Sequence, residues 1–264
     1  MYSTKYHKPT TIEDALAALR AGEEAKVLAG GQTLLATMKQ HLAAPSDLVD
    51  IRAIDGLSGI SMDGGTLTIG AATTHAQVAE NADVNAHCAA LAALAGGIGD
   101  PAVRHQGTIG GSIANNDPAA DYPAAMLALG ATIVTNAREI AADDFFQGLF
   151  TTALEDGEII TAIRAPCPAH AAYAKFDQPA SRFALVGVFV AKGENGARVA
   201  VTGAGEDGVF RHAALEAALN ANWSADAIAG VDISSEGLMS DIHAGAAYRA
   251  NLIGVMAKRA VAAS

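Results

Sequence analysis

The chain has 264 residues, half of them apolar, and carries 17 Lys and Arg against 28 Asp and Glu, a formal net charge of −11. Binding to a phosphate backbone relies on clustered cations, so this balance argues against nucleic acid as a partner, and aromatics at 5% leave little for base stacking. The length admits one large or two modest domains with a sizeable core.

The elements follow in chain order. Pro9 precedes a helix capped at Thr10 or Thr11, with Glu13 and Asp14 in its first turn and Gly22 as its stop. Lys26 to Ala29 reads as a strand, Thr33 to Leu42 as a helix and Asp47 to Ile51 as a second strand, which makes a βαβ unit around Gly30-Gly31. Thr66 to Ala71 alternates as a strand after the Asp63-Gly64-Gly65 turn, and the alanine-rich stretch from Thr74 to Gly96 reads as helical. Tyr122 to Leu129 predicts a short helix, Ala131 to Thr135 a strand, and Ile159 to Ile163 another, closed by Pro166 and Pro168. That proline pair sets the expected boundary between a domain over 1–168 and a smaller one over 169–264. In the second, Phe183 to Lys192 and Arg198 to Thr202 flank Gly193-Glu194-Asn195-Gly196 as a hairpin, and Arg211 to Leu219 and Ser240 to Val261 read as amphipathic helices.

Two glycine-rich segments carry the chemistry: Ala29-Gly30-Gly31-Gln32-Thr33 and Thr108-Ile109-Gly110-Gly111-Ser112. A glycine pair lets the chain turn with positive φ and lets its N–H groups approach an anion, while the Thr or Ser beside it adds a hydroxyl donor. Each pair alone is weak, since Gly-Gly also marks ordinary turns; together they read as two halves of one pyrophosphate cradle. After the second pair, Asn115-Asn116-Asp117 and Asp121 supply polar side chains suited to a ribose or ribityl chain. A rival motif, Gly203-Ala204-Gly205-Glu206-Asp207-Gly208, fits G-x-G-x-x-G between a strand and a helix, but Glu206 and Asp207 would set two carboxylates against a pyrophosphate and the hairpin before it predicts an antiparallel setting.

Other chemistry is sparse. No pair among the eight histidines has helical metal-ligand spacing, so surface or capping roles are expected, and Asp143-Asp144 and Glu155-Asp156 read as solvated loop charges. Cys88 and Cys167 are too few for a disulfide framework, a zinc ribbon or an iron–sulfur cluster. Apolar runs such as Phe183 to Ala191 fall well short of the ~20 residues of a membrane-spanning helix. Met1 to Pro9 lacks the apolar stretch of a secretory signal, so the expected location is cytoplasmic.

The two Gly-Gly segments, with Asp50-Ile51, Arg104-His105-Gln106-Gly107, Asp117-Pro118-Ala119-Ala120-Asp121, Pro179 to Val188 and Asp241 to Arg249, resemble the FAD-binding medium subunit of molybdenum hydroxylases, the carbon monoxide dehydrogenase and xanthine dehydrogenase family. The likeness runs nearly end to end. It implies an α+β fold: a PCMH-type (vanillyl-alcohol-oxidase-like) FAD-binding domain of two α/β subdomains, then a smaller domain with a three-stranded antiparallel sheet and a helical bundle. It further implies that Ala29, Gly30, Gly31, Gln32 and Thr33, with Thr108, Ile109, Gly110, Gly111 and Ser112, bind the pyrophosphate through main-chain N–H groups. Asp121 would accept hydrogen bonds near the ribityl chain, Ile98 would pack against the flavin, and Ile160 and Lys175 would line the isoalloxazine ring. FAD would be held non-covalently and pass electrons from a small subunit with two [2Fe–2S] clusters to a quinone, NAD or oxygen, while a large molybdenum-cofactor subunit hydroxylates substrate, the whole forming a dimer of heterotrimers. The leading alternative is a self-contained flavin oxidoreductase of the same superfamily, resembling UDP-N-acetylenolpyruvoylglucosamine reductase; a non-flavin scaffold subunit is a third.

Overall fold

A computed structural model describes residues 1–264. The N-terminal strand Lys5–His7 and strand Lys26–Leu28 flank Asp47–Asp50 in a three-stranded parallel sheet. Helix Ile12–Ala21 precedes Lys26–Leu28, with the Thr11 hydroxyl accepting from the Asp14 N–H at 3.1 Å and Gly22 ending it, as the capping residues dictate. Helix Leu34–Lys39 crosses over to Asp47–Asp50, a βαβ unit in which the first glycine pair sits between strand and helix.

A five-stranded antiparallel sheet follows, ordered Ile60–Asp63, Thr66–Gly70, Ile160–Pro166, Thr132–Thr135, Glu139–Ala141. The alanine-rich stretch breaks into three short helices, His75–Glu80, Ala82–His87 and Ala89–Gly96, because Asn81 caps one start and Cys88 leaves helical geometry before the next. With helix Tyr122–Leu129, which is buried on every side, they cover Leu67, Ile69, Ile133 and Ile163 in the largest core.

The C-terminal part is a four-stranded antiparallel sheet, His170–Asp177, Ala184–Gly193, Gly196–Gly205 and Gly208–Arg211, backed by helices Ala213–Ala221 and Ala246–Ala263. The expected three strands thus gain a short fourth. It exists because Gly203 to Gly208, the G-x-G-x-x-G match, forms the end of one strand and a tight hairpin in which Gly205 pairs with Gly208, so no helix follows it directly and no dinucleotide loop is present there. Strand Ala184–Gly193 is buried on both faces: Phe189 and Ala191 enter the first core, while Val186, Val188 and Val190 enter a second core with Ile253 and Met256. A strand covered on both sides reads as a continuous apolar run, which is what residues 184–191 show. The same arrangement fastens the C-terminal sheet onto the Tyr122–Leu129 helix.

Candidate functional site

The two glycine pairs meet. A Cβ added at Gly30 would collide with the Gln106 carbonyl and lie 2.6 Å from the Gly107 Cα, and one added at Gly111 would lie 3.8 Å from the Ala29 methyl. Between them opens a cleft of about 1090 Å³. Of the residues expected at the site, Ala29, Gly30, Gly31, Gln32, Thr33, Ile98, Thr108, Gly110, Gly111, Ser112, Asp121 and Ile160 line it. Ile109 and Lys175 do not. Ile109 is fully buried in the main core, and Lys175 stands behind Asp121.

The two segments differ in what they offer an anion. None of the main-chain N–H groups from Ala29 to Thr33 donates to an acceptor within the chain, and the Thr33 hydroxyl makes no capping bond. Gly31, at φ +70°, holds the left-handed turn that exposes this run of donors. The second segment is instead the start of helix Ile109–Asn115, and its amides are spent internally. Ile109 N–H donates to Thr73 O at 3.1 Å, Gly110 N–H to Ala71 O at 2.9 Å, Gly111 N–H to the Thr108 hydroxyl at 3.2 Å and Ser112 N–H to Thr108 O at 3.0 Å. The expectation that Ile109 to Ser112 present main-chain donors is therefore corrected. What remains there is the Thr108 N–H, the Thr108 proton and the Ser112 hydroxyl, none of which donates inside the chain. The approach to this segment is a short helix, Pro101–Arg104.

Asp121 is 4% exposed at the cleft wall and accepts from the Tyr173 hydroxyl and from Lys175 Nζ at 3.1 Å. Burial pushes its carboxyl up from the ordinary range, opposed by the Lys175 ammonium and the Tyr173 hydroxyl. Ile98 sits in a turn whose carbonyls are gripped by Arg104, which donates to Ile98 O at 3.0 Å and Gly99 O at 2.8 Å.

Several cleft residues were not anticipated. His75 was expected at a surface or cap; it is 5% exposed, lines the cleft, and its ring packs 5.4 Å from that of Tyr122. Its backbone N–H donates to Gly107 O at 2.9 Å and its Nε2 leaves no room for a Cβ at Gly107. Burial, helped by the Arg104 cation, holds the imidazole down to about 4, so it is neutral at pH 7. Phe150, Arg182 and Phe183 also line the cleft. Phe150, at φ +53°, is anchored through its N–H to Asn116 O at 3.1 Å, while the Asn116 amide donates to Gly148 O and Thr151 O. The signal for Tyr173 was present: it stands two residues before Lys175, so both face one side of a strand. Asp143 is exposed, as expected of a solvated charge, and pairs with Arg198 at 2.7 Å; Glu155 and Asp156 sit on the exposed cleft rim, where Glu155 lies 3.2 Å from Arg138. No group of three or more His, Cys, Asp or Glu side chains is arranged to hold a metal, and no helix is long and apolar enough to cross a membrane.

Comparison with known proteins agrees with this geometry. The carbon monoxide dehydrogenase medium chain of Afipia carboxidovorans is 44% identical over 63% of this chain and 59% of its own length, and that of Hydrogenophaga pseudoflava is 33% identical over 98% of this chain and 96% of its own. Quinoline 2-oxidoreductase from Pseudomonas putida 86 contains a chain that superposes with a TM-score of 0.88, 29% identity and coverage of 99% of this chain and 96% of that one. The fold is therefore the mixed α/β architecture of these oxidoreductase subunits. Residues 2–168 match the model for the FAD binding domain in molybdopterin dehydrogenase, and the chain belongs to that family.

Proposed function

We propose that this chain is the flavin-holding, electron-transfer subunit of an assembly that also contains a large molybdenum-cofactor subunit and a small subunit with two [2Fe–2S] clusters. One observation carries the reading: an unbroken run of free main-chain donors from Ala29 to Thr33 opens onto a cleft of about 1090 Å³, large enough for a dinucleotide. The residues present fit FAD. Ala29 to Thr33 would hold its pyrophosphate, with the Thr108 and Ser112 hydroxyls on the other side. Asp121 would accept from the ribityl chain, and Ile98 and Ile160 would supply apolar contact to the ring. FAD, when bound, supplies the exchange between single electrons and electron pairs.

The remaining chemistry of the chain is that of a holder. Burial pushes the Cys88 thiol up to about 11 and raises that of Cys167, so both stay protonated and neither is poised as a ligand or nucleophile. Substrate choice belongs to a partner, because the similar chains come from enzymes of carbon monoxide and of quinoline. The reading extends to a division into domains at 168/169, a cytoplasmic location and a dimer of heterotrimers.

The test is expression of the chain alone and with its partner subunits. The chain alone binds FAD that acid denaturation releases, and shows no substrate-dependent dye reduction; the assembly does, and contains molybdenum and iron. Steady turnover of an organic substrate by the metal-free single chain would replace this reading with a self-contained flavoenzyme.

A further inference from the structure

The matched FAD-binding segment ends at residue 168, yet the cleft is not closed by it. Ser181, Arg182 and Phe183, in the loop between the first two strands of the C-terminal sheet, form part of the wall. That sheet also carries the loop leading to Asp121: Gly203 N–H donates to Pro118 O at 2.8 Å, the Thr202 hydroxyl to Ala120 O at 2.7 Å, and Ala184 N–H to Ala119 O at 3.3 Å. Behind these bonds the buried Arg249 donates to Leu185 O at 2.8 Å and Gly203 O at 2.6 Å. The C-terminal sheet therefore supplies one side of the wall and carries the loop that places Asp121 in it.

Lys175 is where its segments join. An ammonium has three protons. Those of Lys175 go to Gly97 O at 3.2 Å, beside the Ile98 turn, to the Asp121 carboxylate at 3.1 and 3.3 Å, and to Arg182 O at 2.8 Å. The side chain is 11% exposed and has no donor left for a ligand. Arg182 is held at φ +61°, a strained conformation for a side chain of its size, and its guanidinium returns to Gly99 O at 3.3 Å, closing the same junction a second time. Across the strand pair from Lys175 stands Gly187, where any Cβ would collide with the Tyr173 hydroxyl on its way to Asp121.

We propose that Lys175 is a positioning residue for cofactor binding, which assembles three segments of the cleft wall through its three protons and touches no cofactor atom itself. This rests on the reading that FAD occupies the cleft. It replaces the expectation that Lys175 lines the isoalloxazine ring.

The experiment uses the full chain, stripped of flavin and titrated with FAD by fluorescence. Lys175→Met keeps the apolar stem and removes the three donors; FAD affinity falls by about tenfold or more. A second readout separates positioning from packing. Without its counter-charge, the buried Asp121 carboxyl keeps the Tyr173 hydroxyl but faces the repelling Asp177 carboxylate and the buried Tyr122 phenol, so it is pushed up further. The affinity of Lys175→Met then acquires a pH dependence that is absent from Lys175→Met/Asp121→Asn. If the lone carboxylate unfolds Lys175→Met, the neutral double variant carries the test and binds FAD about tenfold or more weakly than Asp121→Asn alone. Wild-type affinity in Lys175→Met, a double variant that binds as tightly as Asp121→Asn alone, or a weakened Lys175→Met with no pH dependence, overturns the proposal. Thr33→Ala/Ser112→Ala serves as the control on the cleft: if it binds FAD like the wild type, the cleft reading falls and this proposal with it, whereas its weakening beside an unaffected Lys175→Met overturns this proposal alone.

Discussion

Acidification should destabilise the protein in a first step through His75. Its imidazole is buried against Tyr122 and Gly107, Nδ1 has no partner, and its folded-state value is lowered from 6.5 to about 4. A depressed histidine means that the unfolded chain binds a proton more readily than the folded one between those values, so stability falls as the pH drops from 6.5 to about 4 and levels off below. At ~1.4 kcal/mol per pH unit the full loss is about 3 kcal/mol, a large share of an ordinary domain's stability. The assay is urea unfolding followed by tryptophan fluorescence and circular dichroism at several pH values, for the wild type and for His75→Leu, which has similar bulk and no proton to take up. The wild type should lose stability over this interval, and His75→Leu should lose about 3 kcal/mol less. An unchanged pH dependence in His75→Leu would show that His75 is hydrated or already charged in the folded protein and that the burial argument is wrong.

Three further outcomes are expected. At lower pH a second loss appears: the Arg138 guanidinium beside Glu158 holds its carboxyl down to about 2, and Asp50, whose burial is outweighed by Arg52 and Tyr6, is likewise held at about 2. Because depressed carboxyls stabilise above their unfolded values, this contribution vanishes between about pH 4.5 and about pH 2, and Glu158→Gln should shrink it in acid titrations followed by circular dichroism. Asn116→Ala removes two side-chain hydrogen bonds at a left-handed backbone position and should cost about 2–4 kcal/mol of unfolding free energy by urea titration, with faster proteolysis in the 146–152 hairpin. Thr33→Ala and Ser112→Ala should each weaken FAD binding severalfold by fluorescence titration while leaving the melting temperature in place, since neither hydroxyl donates inside the chain; a matching fall in melting temperature would assign them to the fold.

Where local rules and tertiary packing agreed, the sequence was readable. Helix Tyr122–Leu129 has the expected bounds because Pro123 suits its first turn and Gly130, at φ +61°, ends it. The hairpin at Glu194-Asn195 is equally local. Reading failed where distant groups decide. Ile109-Gly110-Gly111 is a poor helix start by propensity, yet it becomes one because Ala71 and Thr73 on another strand's end accept its amides. His75 follows Thr74, whose capping box with Gln77 marks a helix start, and nothing in that local pattern says that the helix will press its first residue into the core. The strand Gly208–Arg211 is only four residues long and begins on the last glycine of a match to a nucleotide-binding motif.

The two glycine pairs look alike in sequence and do different work, and this decides which substitutions can report on ligand binding. At Gly31 the requirement is conformational: φ is +70° and an added Cβ would press on Leu35 at 2.9 Å, so the residue is needed to turn five N–H groups outward. At Gly110 the requirement is steric. Its amide is already bonded to Ala71 O, and a Cβ there would sit 2.6 Å from the Ala71 methyl and 2.7 Å from its carbonyl oxygen, so Gly110→Val would part the helix from the five-stranded sheet before any ligand felt it. Gly205→Ala, which from sequence alone would serve as an innocent control, fails for a similar reason, because its Cβ would collide with the Gly208 carbonyl across the hairpin. Loss of flavin in Gly110→Val or Gly205→Ala would therefore measure folding. The hydroxyls of Thr33 and Ser112 face the cleft without internal partners, and only groups of that kind separate the cost of holding the loops together from the gain of holding the cofactor between them.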